Sequence, residues 1–301
     1  SHSDLAGFPY HALDTYLHKL VKAGYRVAIC DQLEDPKMVK GLVKRGVTEM
    51  VTPGVAMNDK LLDNTSNNFL AAVHFTNEET GISFLDISTG EFFVAQGDSE
   101  YIDKLLQSFR PAEVIFQKNK QKDFRSLFGI KFYTYALEEW IFTETYTNEI
   151  LLKHFETHSL KGFGVEKMNA ATIAAGAILH YLKDTEHPNL QHITTLQRID
   201  RDDFLWMDKF TIRNLELLHS NIENGNTLLK VLDNTVTPMG ARLLKRWIIF
   251  PLQEIALINE RLDAVEFFIR ETDISKALAH HLRQAGDIER IVSKITLKKI
   301  G

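Results

Sequence analysis

The stretch LDNTVTPMGARLLKRWIIFPL (Leu232–Leu252) constrains this chain more than any other. Thr237 before Pro238 starts a helix. The hydroxyl can accept from an orphan amide, and the proline ring lacks only an N–H that the first turn leaves unused. Met239, Leu243, Leu244, Trp247 and Ile248 recur at helical spacing, and Pro251 stops the run. An apolar stripe this wide needs partners on more than one side, so it predicts a core helix of an all-α unit. Arg242, Lys245 and Arg246 lie between the apolar positions. On such a helix they predict ion pairs with neighbouring acids rather than a nucleic-acid patch.

Upstream the periodicity changes twice. Ala12, Leu13, Tyr16, Leu17, Leu20 and Val21 form one face of a helix that Gly24 ends. The strand Tyr25–Cys30 follows, and Val43, Val47 and Val51 mark a second strand running to Pro53–Gly54. A helix and two strands are too little for an independent domain. Phe69–Phe75, Gly81–Ile87 and Glu91–Ala95 then read as a three-stranded meander. After it come the helix Ser99–Phe109, the strand Ala112–Phe116 and a helical turn near Phe124–Phe128. From about Glu138 the pattern is helical: Thr147–His158, Ala170–Leu182, Asp208–His219, Thr227–Leu232, Thr237–Ile249, Glu254–Arg270, Asp273–Gln284 and Asp287–Ile295. The turn EHPNLQH (Glu186–His192) is the best linker candidate.

Four of these stretches carry a family resemblance. Leu232–Leu252 closely resembles the signature opening the core domain of the MutS family of DNA mismatch-recognition proteins. RVAICDQLEDPKMVKGLVKRGVTEMVTPG (Arg26–Gly54) resembles the end of that family's mismatch-binding domain. FLDISTGEFFV (Phe84–Val94) resembles its connector domain, and GDIERIVSKI (Gly286–Ile295) a later core helix. They occur in the family's order and span nearly the whole chain. The resemblance implies a multidomain α/β plus all-α chain. Its parts are the C-terminal part of a mismatch-binding domain (1–53), a partial α+β unit; a ribonuclease-H-like connector (54–190), whose β-β-β-α-β-α order fits; and the first part of a helical core or lever domain (191–301). It also implies a segment of a longer protein.

The same resemblance implies the wider function: mismatched double-stranded DNA as ligand, MutL as partner, ATP and Mg as cofactors of a full-length homodimeric ATPase, and a cytoplasmic, nucleoid-associated setting. No Gly-Lys pair followed by Ser or Thr occurs, so this segment is expected to bind no cofactor and hydrolyse no ATP. The Phe-x-Glu reading wedge is expected upstream. No apolar run approaches the roughly 18 residues of a membrane span. The lone cysteine, Cys30, forms no internal disulfide and reads as a small buried hydrophobe. A net charge of −5 excludes coating of nucleic acid by bulk electrostatics, so DNA contact requires a local patch.

Lys37, Lys40, Lys44 and Arg45 are the densest basic group near the N-terminus and are expected to position phosphates. GFPYH resembles a family segment that approaches DNA near the mismatch, which implies contacts from Phe8, Tyr10 and His11. Thr147, Asn148 and Glu149, read as an exposed helix start, are candidates for the partner protein. Two rivals stay open. One is a stand-alone protein-interaction module. The other is a metal nuclease, which needs convergent carboxylates with one central on the first strand. Phe69–Phe75 holds no acid, and Asp86 and Glu91, straddling a turn, read as turn-capping acids. His187, His192, His280 and His281 lack metal-ligand spacing and are expected to face solvent.

Overall fold

The computed structural model describes residues 10–35, 38, 41–57, 62–187, 189–220 and 222–296, with Tyr10 and Asp14 as backbone only. The first segment is α1 (Leu13–Lys22) and an antiparallel pair, β1 (Val27–Gln32) and β2 (Arg45–Val51), with an irregularity at Ile29/Cys30. Gly24, at φ +88°, ends α1 as expected, with Tyr25 N–H reaching back to the Leu20 carbonyl. Leu17, Val21, Val51 and Ala56 make a small core. Cys30 departs from expectation: β1 alternates, and Cys30 sits on its exposed side with Ala28 and Gln32.

The middle of the chain is a six-stranded sheet. β3 (Leu70–Phe75), β4 (Thr80–Asp86) and β5 (Glu91–Gly97) form the antiparallel meander. After α2 (Ser99–Phe109), β6 (Glu113–Gln117) returns parallel to β3; after α3 (Gln121–Phe128), β7 (Thr134–Leu137) lies parallel to β6. The two helices α4 (Glu144–His154) and α5 (Asn169–Asp184) precede β8 (Gln197–Arg198), which pairs with β5. The spatial order is β7-β6-β3-β4-β5-β8. Both faces are covered, so β3 is buried throughout and apolar except for His74. Leu70 and Ala72 face α5, while Ala71 and Val73 face α2 and α3. α5 lies close because its partners are small: a Cβ on Gly81 would stand 2.1 Å from the Ala170 carbonyl, and one on Gly176 2.4 Å from Thr147 Cβ.

The last third holds α6 (Lys209–Asn214), α7 (Leu228–Leu232), α8 (Pro238–Ile249), α9 (Ile255–Arg270), α10 (Thr272–Ala285) and α11 (Ile288–Thr296). Thr237 caps α8 as expected, its Oγ1 accepting from Gly240 N–H at 3.1 Å. The helix expected over Asp208–His219 stops at Asn214, because Glu216 turns left-handed and sends Leu217 and Leu218 into the sheet's core.

α8 is also packed differently from expectation. Leu243 and Trp247 remain 38% and 40% exposed, while Arg242 and Ile249 are buried. Its C-terminal end docks on the sheet unit, through the end of α2. Phe84 stacks on Phe109 at 4.2 Å, and Phe109 meets Phe250 at 5.2 Å. Two of the histidines expected in solvent lie in the linker candidate and are held instead. His187 is buried, and His192 Nε2 lies 2.8 Å from the Ile87 carbonyl, so neither faces solvent. His280 and His281 do.

The first segment is tied to the sheet by a buried carboxylate. Glu113 accepts from the Tyr181 hydroxyl at 2.6 Å, from Thr52 Oγ1, and from Gly54 N–H at 3.0 Å. The Arg26 guanidinium covers the Tyr135 ring at 3.5 Å beside it. Glu113→Ala strands three donors and is expected to destabilise by about 2–3 kcal/mol. A urea midpoint unchanged from the parent would show that this tie contributes nothing.

Candidate nucleic-acid surface and interdomain joint

Of the residues expected at DNA, Phe8, Lys37 and Lys40 lie outside the described residues, as does the Tyr10 side chain. His11 is exposed in the turn before α1. Lys44 and Arg45 are exposed where β2 begins, and among the described residues neither forms an ion pair. Lys44 N–H donates to Glu34 Oε2 at 3.1 Å, and its carbonyl accepts from Leu33 N–H at 2.9 Å, which fixes the tip. Leu33, Met38 and Leu42 stand in solvent beside these cations. The tip therefore offers the exposed cations Lys44 and Arg45 together with apolar side chains and the exposed acids Glu34 and Asp35.

Thr147 cannot serve as an exposed partner contact. α4 begins at Glu144, three residues earlier than expected, so Thr147 falls on its buried side. Its hydroxyl donates to the Thr143 carbonyl at 2.8 Å, and its Cβ sits against Gly176. Asn148 and Glu149 are exposed.

Asp86 is buried with all its capacity engaged. Its two oxygens accept from Asn67 Nδ2, Asn68 N–H, Ser88 N–H and Ser88 Oγ at 2.7–3.0 Å. Glu91 pairs with Arg246 and accepts from Asn67. These are turn-organising acids, as expected, and among the described residues no cluster of three or more potential ligands assembles.

The densest polar assembly joins the sheet, the preceding segment and the helices. Arg242, 3% exposed, makes two 2.8 Å bonds to Asp287, one of 2.6 Å to Glu289 and one of 2.8 Å to the Asn64 carbonyl. Arg290, 2% exposed, reaches Ser88 Oγ, Asn64 Oδ1 and the carbonyls of Asp63 and Ser66 at 2.8–3.2 Å. Ser293 Oγ donates to the Ser88 carbonyl, and Lys245 Nζ to Ser66 Oγ. The expected pairing with acids thus holds for Arg242 and Arg246, while Lys245 takes a hydroxyl.

Charge matches geometry here. Burial pulls the Arg242 pKa down, but its bonds to Asp287 and Glu289 outweigh that and raise it. Burial pushes Asp287 up, and the Arg242 bonds win again, holding it below its ordinary 3.8. Lys245 is lowered, chiefly by burial. Arg290 was missed by sequence reasoning. An arginine amid Ile288, Ile291, Val292 and Ile295 is the signal available, yet α11 docks by its polar face and leaves those four 44–57% exposed.

A two-stranded segment tied to a covered mixed sheet by Glu113, and a helical segment joined to that sheet by Arg242 and Arg290, define a multidomain α/β and helical protein. Family models agree segment by segment: MutS domain I matches residues 1–60, MutS domain II residues 68–194 and MutS domain III residues 210–301. The chain belongs to the MutS family. It is 56% identical over 300 residues to a DNA mismatch repair protein MutS from Cytophaga hutchinsonii, covering 100% of this chain and 35% of the relative. Proteins of that name from Phocaeicola vulgatus and Bacteroides fragilis are 57% and 55% identical over 297 residues, covering 99% of this chain and 34% of each relative. The chain therefore spans about a third of the length of these relatives. Among the described residues no helix is long and apolar enough to cross a membrane.

Proposed function

We propose that this chain works in DNA mismatch repair as the structural link between the DNA-holding end of a MutS protein and its remaining domains. The observation carrying this reading is the joint at Arg242 and Arg290. It ties 63–66, the β4–β5 turn, α8 and α11 into one unit, so a displacement on one side is felt on the other. The sheet order supports a ribonuclease-H-like connector, with a three-stranded meander extended by parallel strands beside its first member. The engaged carboxylates of Asp86 and Glu91 favour a scaffold over a nuclease. Whole-protein properties belong to the same reading: mismatched duplex as ligand, ATP and Mg bound outside this segment, homodimerisation, MutL docking near the exposed Asn148 and Glu149, and a cytoplasmic, nucleoid-associated location.

Phosphate positioning falls to Lys44 and Arg45, with Lys37 and Lys40 as the remaining candidates, while Phe8, Tyr10 and His11 are the candidates for sugar or base contacts. Duplex binding by this chain is expected to be weak and to fall steeply with salt. Lys44→Ala with Arg45→Ala should weaken it and flatten the slope of log affinity against log salt by about 0.9 for each phosphate left without its cation. A gel-shift titration at several salt concentrations reads both. An unchanged slope in the double variant would remove these residues from the interface.

A further inference from the structure

A cavity of about 170 Å³ lies where α8 and α9 meet β5 and β8, with Arg246 in its wall one helical turn beyond Arg242. Phe93, Phe204 and Phe250 line its apolar part; Arg198, Arg246 and Arg261 supply its charge, and no acidic side chain lines it. Two of the arginines are already matched, Arg198 by Asp200 and Arg246 by Glu91. Arg261 has no carboxylate partner among the described residues. Its guanidinium carbon stands 3.7 Å from the centroid of the Trp247 ring, itself 40% exposed. Burial alone shifts its pKa, downwards, with no acid opposing. An arginine stays charged through such a shift, so the cavity carries an unbalanced cation.

Charge and shape together define the occupant. Apolar rings accept a bulky side chain, and a guanidinium held on an indole presents its donors to a carboxylate. A nucleobase fits less well. The lining arginines can only donate, and Gln197 is the one lining side chain able to accept from a base's amino group, so that group would lose its hydrogen bonds to water with little replacement. We propose that this cavity docks an acidic peptide segment of a partner protein, with one bulky apolar side chain against Phe93, Phe204 and Phe250 and a neighbouring carboxylate on Arg261. The walls come from both the sheet unit and the helical segment, so the bound peptide clamps the two together. This site is independent of the DNA-binding assignment.

Fluorescence anisotropy of the 301-residue chain tests it, with a labelled short peptide carrying a single phenylalanine flanked by aspartates. Saturable binding is expected, accompanied by a change in tryptophan emission that Trp247→Leu removes. Replacing the peptide's phenylalanine by alanine, or its aspartates by lysines, should abolish binding. Arg261→Ala and Arg261→Gln should each weaken it by about tenfold or more, with circular dichroism matching the parent. Two variants guard against a local folding defect in either. The proposal is overturned by absence of saturable binding up to about 1 mM peptide, or by affinity that both Arg261 variants leave unchanged. Displacement of the peptide by equimolar AMP or oligodeoxythymidine overturns it too, because the cavity would then be a nucleotide site.

Discussion

Arg290→Ala is expected to destabilise the protein by about 3–4 kcal/mol, the largest single effect at the joint. The guanidinium is 2% exposed and satisfies two backbone carbonyls, an amide oxygen and a serine hydroxyl. Truncation strands those acceptors where water does not replace the missing donors. Ser293 Oγ would still hold α11 to the β4–β5 turn through the Ser88 carbonyl. Arg290→Lys should recover little, since one ammonium cannot span four acceptors. Hydrogen exchange locates the effect: protection should fall in 62–68 and 288–296 and persist in β3 and β4. Uniform loss across the chain, or an unchanged denaturation midpoint, would rule out a localised bolt.

Acid should loosen the same joint from its other side. Asp287 has its carboxyl held below 3.8 in the folded protein, where Arg242 outweighs the effect of burial. A depressed carboxylate contributes stability that is fully present above its unfolded pKa, about 3.9, and is lost as pH falls through the folded value. Stability of α8 and α11 should therefore decline below about pH 4. Asp287→Asn should remove that component and also cost about 3 kcal/mol at neutral pH, because Arg242 stays buried with only Glu289 as counter-charge. Urea midpoints at pH 3 and pH 7 separate the two effects. If the variant loses as much between those pH values as the parent, Asp287 is not the titrating group.

Helix starts and the meander were legible because their causes are local. Thr237–Pro238 signals its helix within one turn, and α2 occupies the expected Ser99–Phe109. β7 and β8 were not anticipated. β7 is four residues long, mostly exposed at Thr134 and Tyr135, and becomes a strand by pairing with β6; β8 is two residues borrowed by β5. Thr147 was misplaced for a related reason. A three-residue error in a helix start rotates a side chain from solvent to core.

The amino-acid sequence by itself determined the order of the three segments, the family they belong to, and the caps and periodicities of most elements, since each depends on residues a few positions apart. Only the tertiary structure decided which face of α8 and α11 is buried. By composition the apolar side should turn inward, yet Arg242 and Arg290 do, because acceptors 178 and 227 positions away are waiting for them. A buried guanidinium is stable only where several acceptors converge, and convergence is a property of the folded chain.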